Sequence, residues 1–198
     1  MFTGIIESTG TITDIYINGS NKSFWVTSPL SHELKVDQSL AHDGVCLTVE
    51  EIKDNQHRVT AISETLEKTN LGDWETGKEI NLERCLLFNG RLDGHLVQGH
   101  ADTTGTITHK EEKEGSWQFI VSYPEQFASL IIEKGSITLN GISLTAFNTT
   151  NNTFEVAIIP YTCEHTTVKH LKTGDKVNLE FDVIGKYVSR IQQLLVSK

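Results

Sequence analysis

The sequence contains one pattern twice, and this repeat is the feature that most limits how the chain can fold. Residues 4–13 align with residues 99–108 at an offset of 95, with six identities in ten positions. Residues 39–48 then align with residues 136–145 at an offset of 97, which a two-residue insertion near position 134 explains. The matches stay in one order over about 80 residues. We therefore interpret the chain as a tandem duplication of one small unit.

Each copy has the pattern of β structure. Apolar and polar residues alternate in segments such as 10–15 and 154–158, and turn-forming pairs such as Asn140-Gly141 separate the segments. Many short strands in about 90 residues favour a small closed barrel, because closure removes exposed sheet edges. The sequence therefore predicts an all-β protein with two barrels, in residues 1–94 and 95–183.

Helical signals are few. Within each copy they follow Pro29 and Pro124, where proline suits a first helical turn. After the second copy, residues 184–198 have a stripe of apolar side chains at helical spacing: Ile184, Tyr187, Val188, Ile191, Leu194 and Leu195. A terminal helix of this kind has to bury its stripe, either on its own barrel or against another copy of the chain. We favour self-association, because an exposed apolar stripe is otherwise a liability.

Composition narrows the classes of function. The chain has 17 Lys+Arg against 26 Asp+Glu, a net charge of −9, which argues against a nucleic-acid partner. No apolar run reaches the roughly 18 residues of a membrane span, and the N-terminus lacks the pattern of a signal peptide. Three widely spaced cysteines fit reduced thiols better than disulfides or a zinc site. We therefore expect a cytoplasmic protein without a membrane partner or a metal.

The first candidate site is the segment from Cys46 to Thr48, which the second copy repeats from Ser143 to Thr145. In a strand, residues two apart lie on the same face, so the thiol and the hydroxyl of the first copy point together, as do the two hydroxyls of the second. The alternative is that Cys46 is a small core residue and the hydroxyls bind local backbone. The exchange of Cys46 for Ser143 favours two related pockets with different polar chemistry.

Two further segments have candidate polar groups. His95 and His100 are five residues apart, which in a strand places them on opposite faces, so a shared metal is not expected. His100 replaces Ile5 of the first copy and is either a surface residue or a proton carrier of one site only. The pairs Glu64-Thr65 and Tyr161-Thr162 could bind a polyhydroxylated chain, or could simply end a strand. Motifs for dinucleotides and nucleoside phosphates are missing from the sequence.

Taken together, these segments resemble riboflavin synthase, the homotrimeric flavin-forming family of lumazine-binding proteins. The matching segments are residues 1–7, 44–49, 81–84, 94–100, 141–145, 159–162 and 182–188. The resemblance covers essentially the whole chain. It implies two six-stranded Greek-key β-barrels and a C-terminal α-helix that gathers three subunits.

The resemblance also implies a reaction, the last step of riboflavin biosynthesis. Two molecules of 6,7-dimethyl-8-ribityllumazine exchange a four-carbon unit and give riboflavin and 5-amino-6-ribitylamino-uracil. This transferase needs no cofactor, since one lumazine is the donor and the other the acceptor. Each barrel would bind one lumazine, and the working site would lie between the first barrel of one subunit and the second barrel of the next. The sequence leaves open whether the trimer joins a lumazine synthase assembly.

The family's site residues fall on matching positions. For catalysis we single out Cys46, His100, Ser143 and Thr145, and we favour Cys46 for transient addition because a thiol is a better nucleophile than a hydroxyl. In the first barrel the resemblance implies that lumazine contacts Gly4, Ile5, Ile6, Cys46, Leu47, Thr48, Thr60, Ala61, Ile62, Ser63, Glu64 and Thr65. In the second barrel it implies Gly99, His100, Ala101, Lys134, Ser143, Leu144, Thr145, Ile159, Pro160, Tyr161, Thr162, Cys163 and Glu164. We expect Glu64, Thr65 and Thr162 to hold ribityl hydroxyls.

The main alternative is a protein of a different class with the same fold. Lumazine and flavin antenna proteins resemble this family and bind the chromophore without converting it. Such relatives tend to be monomeric and to have lost polar residues from one pocket. Both copies here keep their polar motifs, and the terminal apolar stripe is present, so the sequence favours the enzyme.

Overall fold

The computed structural model describes residues 1–196 and has two barrel-like units in tandem. The strands of the first unit are Ser8–Asn18 (β1), Asn21–Thr27 (β2), Ser39–His42 (β3), Val45–Lys53 (β4), Gln56–Ala61 (β5) and Glu79–Arg84 (β6). Those of the second are Thr103–Lys113 (β7), Ser116–Ser122 (β8), Ser136–Leu139 (β9), Ile142–Thr145 (β10), Thr153–Ile158 (β11) and Lys176–Phe181 (β12). The prediction of an all-β fold with two six-stranded repeats is confirmed.

The two units have the same strand order around the barrel. The first is a closed barrel with the order β1-β2-β5-β4-β3-β6, and the second is a six-stranded sheet with the order β10-β9-β12-β7-β8-β11. With equivalent strands compared, the second barrel has the same ring of strands as the first, but the ring is open between β10 and β11, which correspond to β4 and β5. The opening arises because β4 extends to Lys53 and pairs with β5, whereas β10 ends at Thr145. Two hydrogen bonds between Phe147 and Glu155, of 3.0 and 2.9 Å, bridge this seam.

Alternation along the strands gives each barrel its own core. β2 and β8 have the same burial pattern, in which Phe24 and Val26 of the first barrel correspond to Phe119 and Val121 of the second. The hairpins β3–β4 and β9–β10 turn at Asp43-Gly44 and Asn140-Gly141, where all four residues have positive φ. Consecutive positive φ values define the type I′ turn, which matches the twist of paired strands. These two turns lie where the barrels meet.

Helices are short except at the C-terminus. The turns after Pro29 and Pro124 are 3-10 helices, Ser31–Glu33 and Glu125–Leu130. Two α-helices that the sequence interpretation missed follow β5 and β11: Ser63–Lys68 (α1) and Pro160–His165 (α2). A proline at the start of α2 and a Glu–Lys pair four residues apart in α1 were the available signals. Further 3-10 turns span Asn70–Asp73 and Thr167–His170.

The C-terminal helix spans Val183–Val196 (α3), and the last two residues of the predicted segment 184–198 lie outside the described residues. All six side chains of its predicted apolar stripe are exposed, from 52% for Leu194 to 70% for Tyr187. The barrel of the same chain therefore does not cover the stripe. Within residues 1–196, no helix is long and apolar enough to cross a membrane.

Candidate paired ligand-binding sites

An approximate twofold axis relates the two barrels and places the candidate residues around it. Phe2 and Val97, which are equivalent in the repeat, pair with each other through backbone hydrogen bonds of 2.7 and 3.1 Å. Gly44 and Gly141 also face each other, and a Cβ atom on Gly44 would lie 2.6 Å from the Gly141 backbone nitrogen. Only glycine permits this approach. The barrels therefore meet back to back across two pairs of equivalent residues.

The segment that precedes each barrel crosses to the other barrel. The backbone N–H of Cys46 donates to Gly99 O at 2.8 Å, and that of Ser143 donates to Gly4 O at 2.8 Å. A Cβ atom on Gly99 would lie 2.6 Å from the Cβ of Cys46, and one on Gly4 would lie 2.5 Å from the Cβ of Ser143. The sequence interpretation had grouped Gly4–Ile6 with Cys46 and residues 99–101 with Ser143. The structure exchanges these two groups, because each crossing segment packs on the opposite barrel.

Buried carboxylates hold the crossing segments in place. Glu83 accepts hydrogen bonds from the backbone N–H groups of Thr3 and Gly4 at 2.6 and 3.0 Å. Its repeat equivalent Glu180 accepts from those of Gln98 and His100 at 2.6 and 2.8 Å. Burial raises the pKa of both carboxyl groups, and the backbone donors oppose that rise. The two glutamates are repeat equivalents at the offset of 97, and the sequence interpretation assigned them no role, although a carboxylate kept at the same repeat position was a usable signal.

A cavity of about 330 Å³, here called the first pocket, is lined by three candidates of the first barrel and by three that had been assigned to the second. Its lining consists of Val45, Cys46, Glu64, Thr65, Lys68, Thr69, Gly99, His100 and Ala101. The volume lies at the lower end of the range for small-molecule sites. The lining of the pocket brings together a thiol, an imidazole and an ion pair. Lys68 and Thr69 were not among the predicted residues.

The repeat places an equivalent set of residues on the other side of the axis, and this set is here called the second pocket. Its equivalent residues are Ile142, Ser143, Tyr161, Thr162, His165, Thr166, Gly4, Ile5 and Ile6. Direct contacts support this grouping, since Gly4 touches Ser143 and Ile6 packs against the core of the second barrel. At matched positions the two pockets therefore differ in their polar groups: Cys46 against Ser143, and His100 against Ile5.

Burial sets the protonation state of Cys46. Its side chain is half-buried beside Phe2 and Val97, and burial raises the pKa of the thiol. The thiol is therefore protonated at neutral pH in this structure, and its first action on a ligand is to donate a hydrogen bond. His100, in contrast, is exposed at the rim of the same pocket. An imidazole in that position can exchange protons with solvent.

Ser143 has a partner that the sequence interpretation did not assign. The ring of buried His95 binds Ser143 Oγ through Nδ1 at 2.7 Å and Thr138 Oγ1 through Nε2 at 3.2 Å. Burial lowers the pKa of His95, so the imidazole is neutral at pH 7 and one of its nitrogens accepts a hydrogen bond from a hydroxyl. We had expected a strand here, but only the Val97 bridge has strand pairing. His95 and His100 nevertheless serve different sites.

Several predicted residues lie in the barrel cores rather than in the pockets. They are Leu47 and Ala61 in the first core and Leu144 and Cys163 in the second. Strand alternation explains Leu47 and Leu144, because their neighbours at positions 46, 48, 143 and 145 occupy the other face. Thr48 and Thr145 are exposed on the same faces as Cys46 and Ser143.

Two other predicted residues have partners away from the pockets. The hydroxyl of Thr60 bonds to Ser23 Oγ at 2.8 Å and to Glu50 Oε2 at 2.9 Å. Lys134 lines a groove beside α3 and stacks over the ring of Phe147 at 4.8 Å. Thr60 lies on β5, whereas Lys134 lies in the turn that precedes β9.

The short helices α1 and α2 form matching edges of the two pockets. The residues just before them, Ile62 and Ile159, are repeat equivalents and are 53% and 59% exposed. Exposed isoleucines at both rims provide apolar surface that a planar ring could cover. On the helices themselves, Ser63 donates to Glu67 at 2.9 Å, Pro160 starts α2, and Glu164 is exposed. In the described part of the chain, no group of three His, Cys, Asp or Glu side chains could hold a metal ion.

The arrangement defines a class: duplicated two-barrel proteins with an equivalent set of candidate ligand-binding residues beside each barrel. The family model for the lumazine binding domain matches the chain twice, over residues 3–85 and 98–182. Each match spans one barrel and part of the segment that precedes it. The chain therefore belongs to the lumazine-binding family, and to its riboflavin synthases.

Relatives named riboflavin synthase resemble the whole chain. That of Actinobacillus pleuropneumoniae is 40% identical, with 100% of this chain and 91% of the relative covered. That of Bacillus subtilis is 39% identical, with 96% and 89% covered. That of Mycobacterium bovis is 39% identical, with 98% of both covered.

Solved structures share the fold. LumP in complex with riboflavin superposes with a TM-score of 0.86 at 22% identity, over 91% of this chain and 99% of that chain. LumP in complex with 6,7-dimethyl-8-(1'-D-ribityl) lumazine gives 0.83 at 21% identity, with the same coverage. At this identity the likeness concerns the fold alone.

Proposed function

We propose that this chain is a riboflavin synthase that converts two molecules of 6,7-dimethyl-8-ribityllumazine into riboflavin and 5-amino-6-ribitylamino-uracil. The single observation that supports this most is the pair of equivalent pockets with unequal polar groups. A reaction between two copies of one molecule needs two sites of the same shape. The two molecules play opposite roles, so the sites must differ where protons and nucleophiles act.

The different polar groups of the two pockets suggest which step of the reaction takes place in each pocket. The reaction requires loss of a proton from the 7-methyl group of one lumazine and addition of a nucleophile to the other. In the second pocket, neutral His95 can take the proton of Ser143 over the 2.7 Å contact, which turns the hydroxyl into a nucleophile or a base. In the first pocket, the Cys46 thiol first donates a hydrogen bond to the ligand and, on losing its proton, can add to it as the nucleophile. No cofactor is needed, because the four carbons leave one lumazine and join the other.

Within one chain the two pockets are built on different crossing segments, since Gly99 packs on Cys46 and Gly4 packs on Ser143. The family resemblance implies that the working site pairs pockets of neighbouring subunits. The two lumazines that react would therefore come from the first pocket of one subunit and the second pocket of another. The exposed stripe of α3 supports a homotrimer as the assembly that provides this pairing.

The decisive experiment is to incubate the purified chain with the lumazine and to follow flavin absorbance. We expect two lumazines to be consumed for each riboflavin formed, without added cofactor. Stoichiometric binding of lumazine with no riboflavin formed would instead identify an antenna-type binding protein. A Ser143→Ala variant is the matched control, since it removes one hydroxyl at the half-buried position that contacts Gly4 and leaves the first pocket unchanged.

A further inference from the structure

A cavity of about 430 Å³, here called the junction cavity, lies where the two barrels meet. Both repeats contribute to it, and it shares no lining residue with the first pocket. The reaction described above uses none of its side chains. Its lining consists of Asp43, Gly77, Lys78, Glu79, Asn140, Thr167, His170, Leu171 and Asp175.

The two repeats fill this part of the junction differently. Thr167 and Leu171 line the cavity, and their repeat equivalents are Asn70 and Trp74. The Asn70 amide is satisfied at both atoms, because Nδ2 donates to Lys176 O and Oδ1 accepts from the buried Trp74 Nε1, each at 3.1 Å. A threonine and a leucine occupy less volume than an asparagine and a tryptophan. The second repeat therefore leaves room where the first repeat has large, fully bonded side chains.

Three buried side chains present unused polar atoms to the junction cavity. Asp43, Asn140 and Thr167 are 1%, 4% and 6% exposed. Among residues 1–196, Asp43 Oδ2, Asn140 Nδ2 and Thr167 Oγ1 have no hydrogen-bond partner. None of these atoms is sealed within the protein, so each one faces the space of the cavity. Polar atoms that a buried framework already holds in place can bind a ligand with little loss of freedom.

The carboxylates at the rim of the junction cavity have partners within the chain. The two oxygens of Glu79 contact Lys169 Nζ at 3.9 Å and His170 Nε2 at 2.9 Å. Asp175 Oδ2 accepts the Lys172 backbone N–H at 2.8 Å. These contacts fix the rim, and they leave the carboxyl group at the floor of the cavity as its most buried acceptor.

The charges around Asp43 favour a cation at its unused oxygen. In the lining, the carboxyl groups of Asp43, Glu79 and Asp175 outnumber the one ammonium group, on Lys78. Burial raises the pKa of Asp43 to about 7, an effect that the Asn81 N–H and Lys78 oppose and Glu79 supports. A cation bound at Oδ2 would stabilise the ionised carboxylate, and a hydrogen bond with one charged partner is roughly twice as strong as a neutral one.

We propose that the junction cavity binds a small organic cation that also has a hydroxyl or carbonyl oxygen. The N–H groups of the cation donate to Asp43 Oδ2 and to the Thr167 hydroxyl, and the ligand oxygen accepts from Asn140 Nδ2. Leu171 provides apolar surface for the carbon skeleton. The site is independent of the proposed function, because neither lumazine nor the first pocket enters the argument.

The test is a calorimetric titration of the intact chain with 4-(hydroxymethyl)benzamidine, which has an amidinium group and a hydroxyl. We expect one site per chain, and at least tenfold weaker binding of the neutral 4-(hydroxymethyl)benzamide. Asp43→Asn removes the charge from a turn that Asn140 shows an amide can form, and it should weaken binding of the amidine about tenfold. Asp73→Asn is the matched control, since Asp73 is exposed and does not line the cavity. Equal binding of amidine and amide, an unchanged affinity in Asp43→Asn, or no binding of the amidine would overturn the proposal.

The pH dependence of binding identifies the group that receives the cation. Between pH 6 and pH 8 the affinity should rise, because the Asp43 carboxyl group has to lose its proton before the cation can bind. His170, Glu79, Lys78 and Asp175 face the same cavity, so the titration is repeated with Asp43→Asn, in which the rise should disappear. A rise that persists in this variant would contradict the assignment.

A second variant tests the space of the cavity without changing its charge. Leu171→Trp introduces the residue of the first repeat and should abolish binding of the amidine. Binding retained in the folded Leu171→Trp variant would contradict the proposed location. If this variant does not fold, the comparison of Asp43→Asn with Asp73→Asn still decides the question.

Discussion

Cys46 is the residue at which the two repeats differ most in chemical reactivity. Replacing it with serine keeps the size and a hydrogen-bond donor and removes the more nucleophilic sulfur. We expect Cys46→Ser to lower turnover by about tenfold or more while lumazine affinity changes little. Steady-state kinetics together with binding titration measure the two effects. Equal losses in turnover and affinity would assign Cys46 a binding role only.

Asp43 is buried where the barrels meet, and its repeat equivalent is Asn140. Asp43 Oδ1 accepts from the Asn81 N–H at 2.8 Å, as Asn140 Oδ1 accepts from the Asn178 N–H at 2.7 Å. Burial raises the pKa of Asp43 to about 7. The folded state therefore favours the protonated form of the Asp43 carboxyl group. The stability that this form contributes is complete below the pKa of an unfolded aspartate, about 3.9, and is lost as the pH rises through 7.

Asp43→Asn should therefore stabilise the protein at high pH only. An amide keeps the acceptor and bears no charge, and Asn140 shows that it fits this turn with φ near 45°. We expect the free energy of unfolding at pH 8 to rise by on the order of 2–4 kcal/mol, with the gain fading towards pH 4. Urea unfolding across this range measures it. The reciprocal change Asn140→Asp should destabilise at pH 8, and a pH-independent effect of Asp43→Asn would contradict the account.

At the scale of elements, β3 and β5 of the first barrel bury a hydrogen-bonded row of polar side chains, and the equivalent positions of the second barrel are apolar. His42 Nε2 contacts His57 Nε2 at 2.9 Å, and His57 Nδ1 contacts Ser31 Oγ at 2.8 Å. The repeat equivalents of the two histidines are Leu139 and Phe154. Burial lowers the pKa of His57 to about 4 and that of His42 well below its usual value, with the neighbouring imidazole adding to the latter shift.

The two buried histidines should make the stability of the first barrel sensitive to acid. Both rings are neutral in the folded state, so their contribution to stability is complete above the unfolded pKa of about 6.5 and is lost as the pH falls through 4. His42→Leu with His57→Phe, the residues of the second barrel, should flatten the fall in unfolding free energy below pH 6.5. The change expected is roughly 1.4 kcal/mol per pH unit for each histidine. Exposed His109→Leu is the control, and an unchanged slope in the double variant would refute this explanation.

Strands and turns were predicted from the sequence, and the short helices α1 and α2 were missed because their signals were weak. Alternation is a local property, and residues such as Phe24 and Val26 show it whatever surrounds them. Helices α1 and α2 have six residues each, which is too short for a periodic pattern, and such helices form only because the barrel supports them. The 3-10 turns after Pro29 and Pro124 were predictable, because proline restricts its own backbone.

At the scale of the whole molecule, assembly depends on α3. Ile191 and Leu195 are 57% and 69% exposed, so charged groups there should not disturb the folded subunit. We expect Ile191→Glu with Leu195→Glu, or removal of residues 183–198, to give smaller species with most activity lost, because the shared site would separate. Sedimentation velocity and turnover test this. Arg190→Gln on the same helix should have no effect, and a dissociated variant with full turnover would rule out a site between subunits.

The sequence by itself determined the duplication, the β architecture, the two hairpin turns and the positions where the repeats diverge. These features depend on residue type and spacing, which are local. Only the tertiary structure decided that Gly4 packs on Ser143 and Gly99 on Cys46, and that His95 reaches Ser143. Such contacts join residues about 50 to 140 positions apart, and no periodicity encodes them. The same is true of the pKa of Asp43, because burial, and not residue type, sets its charge.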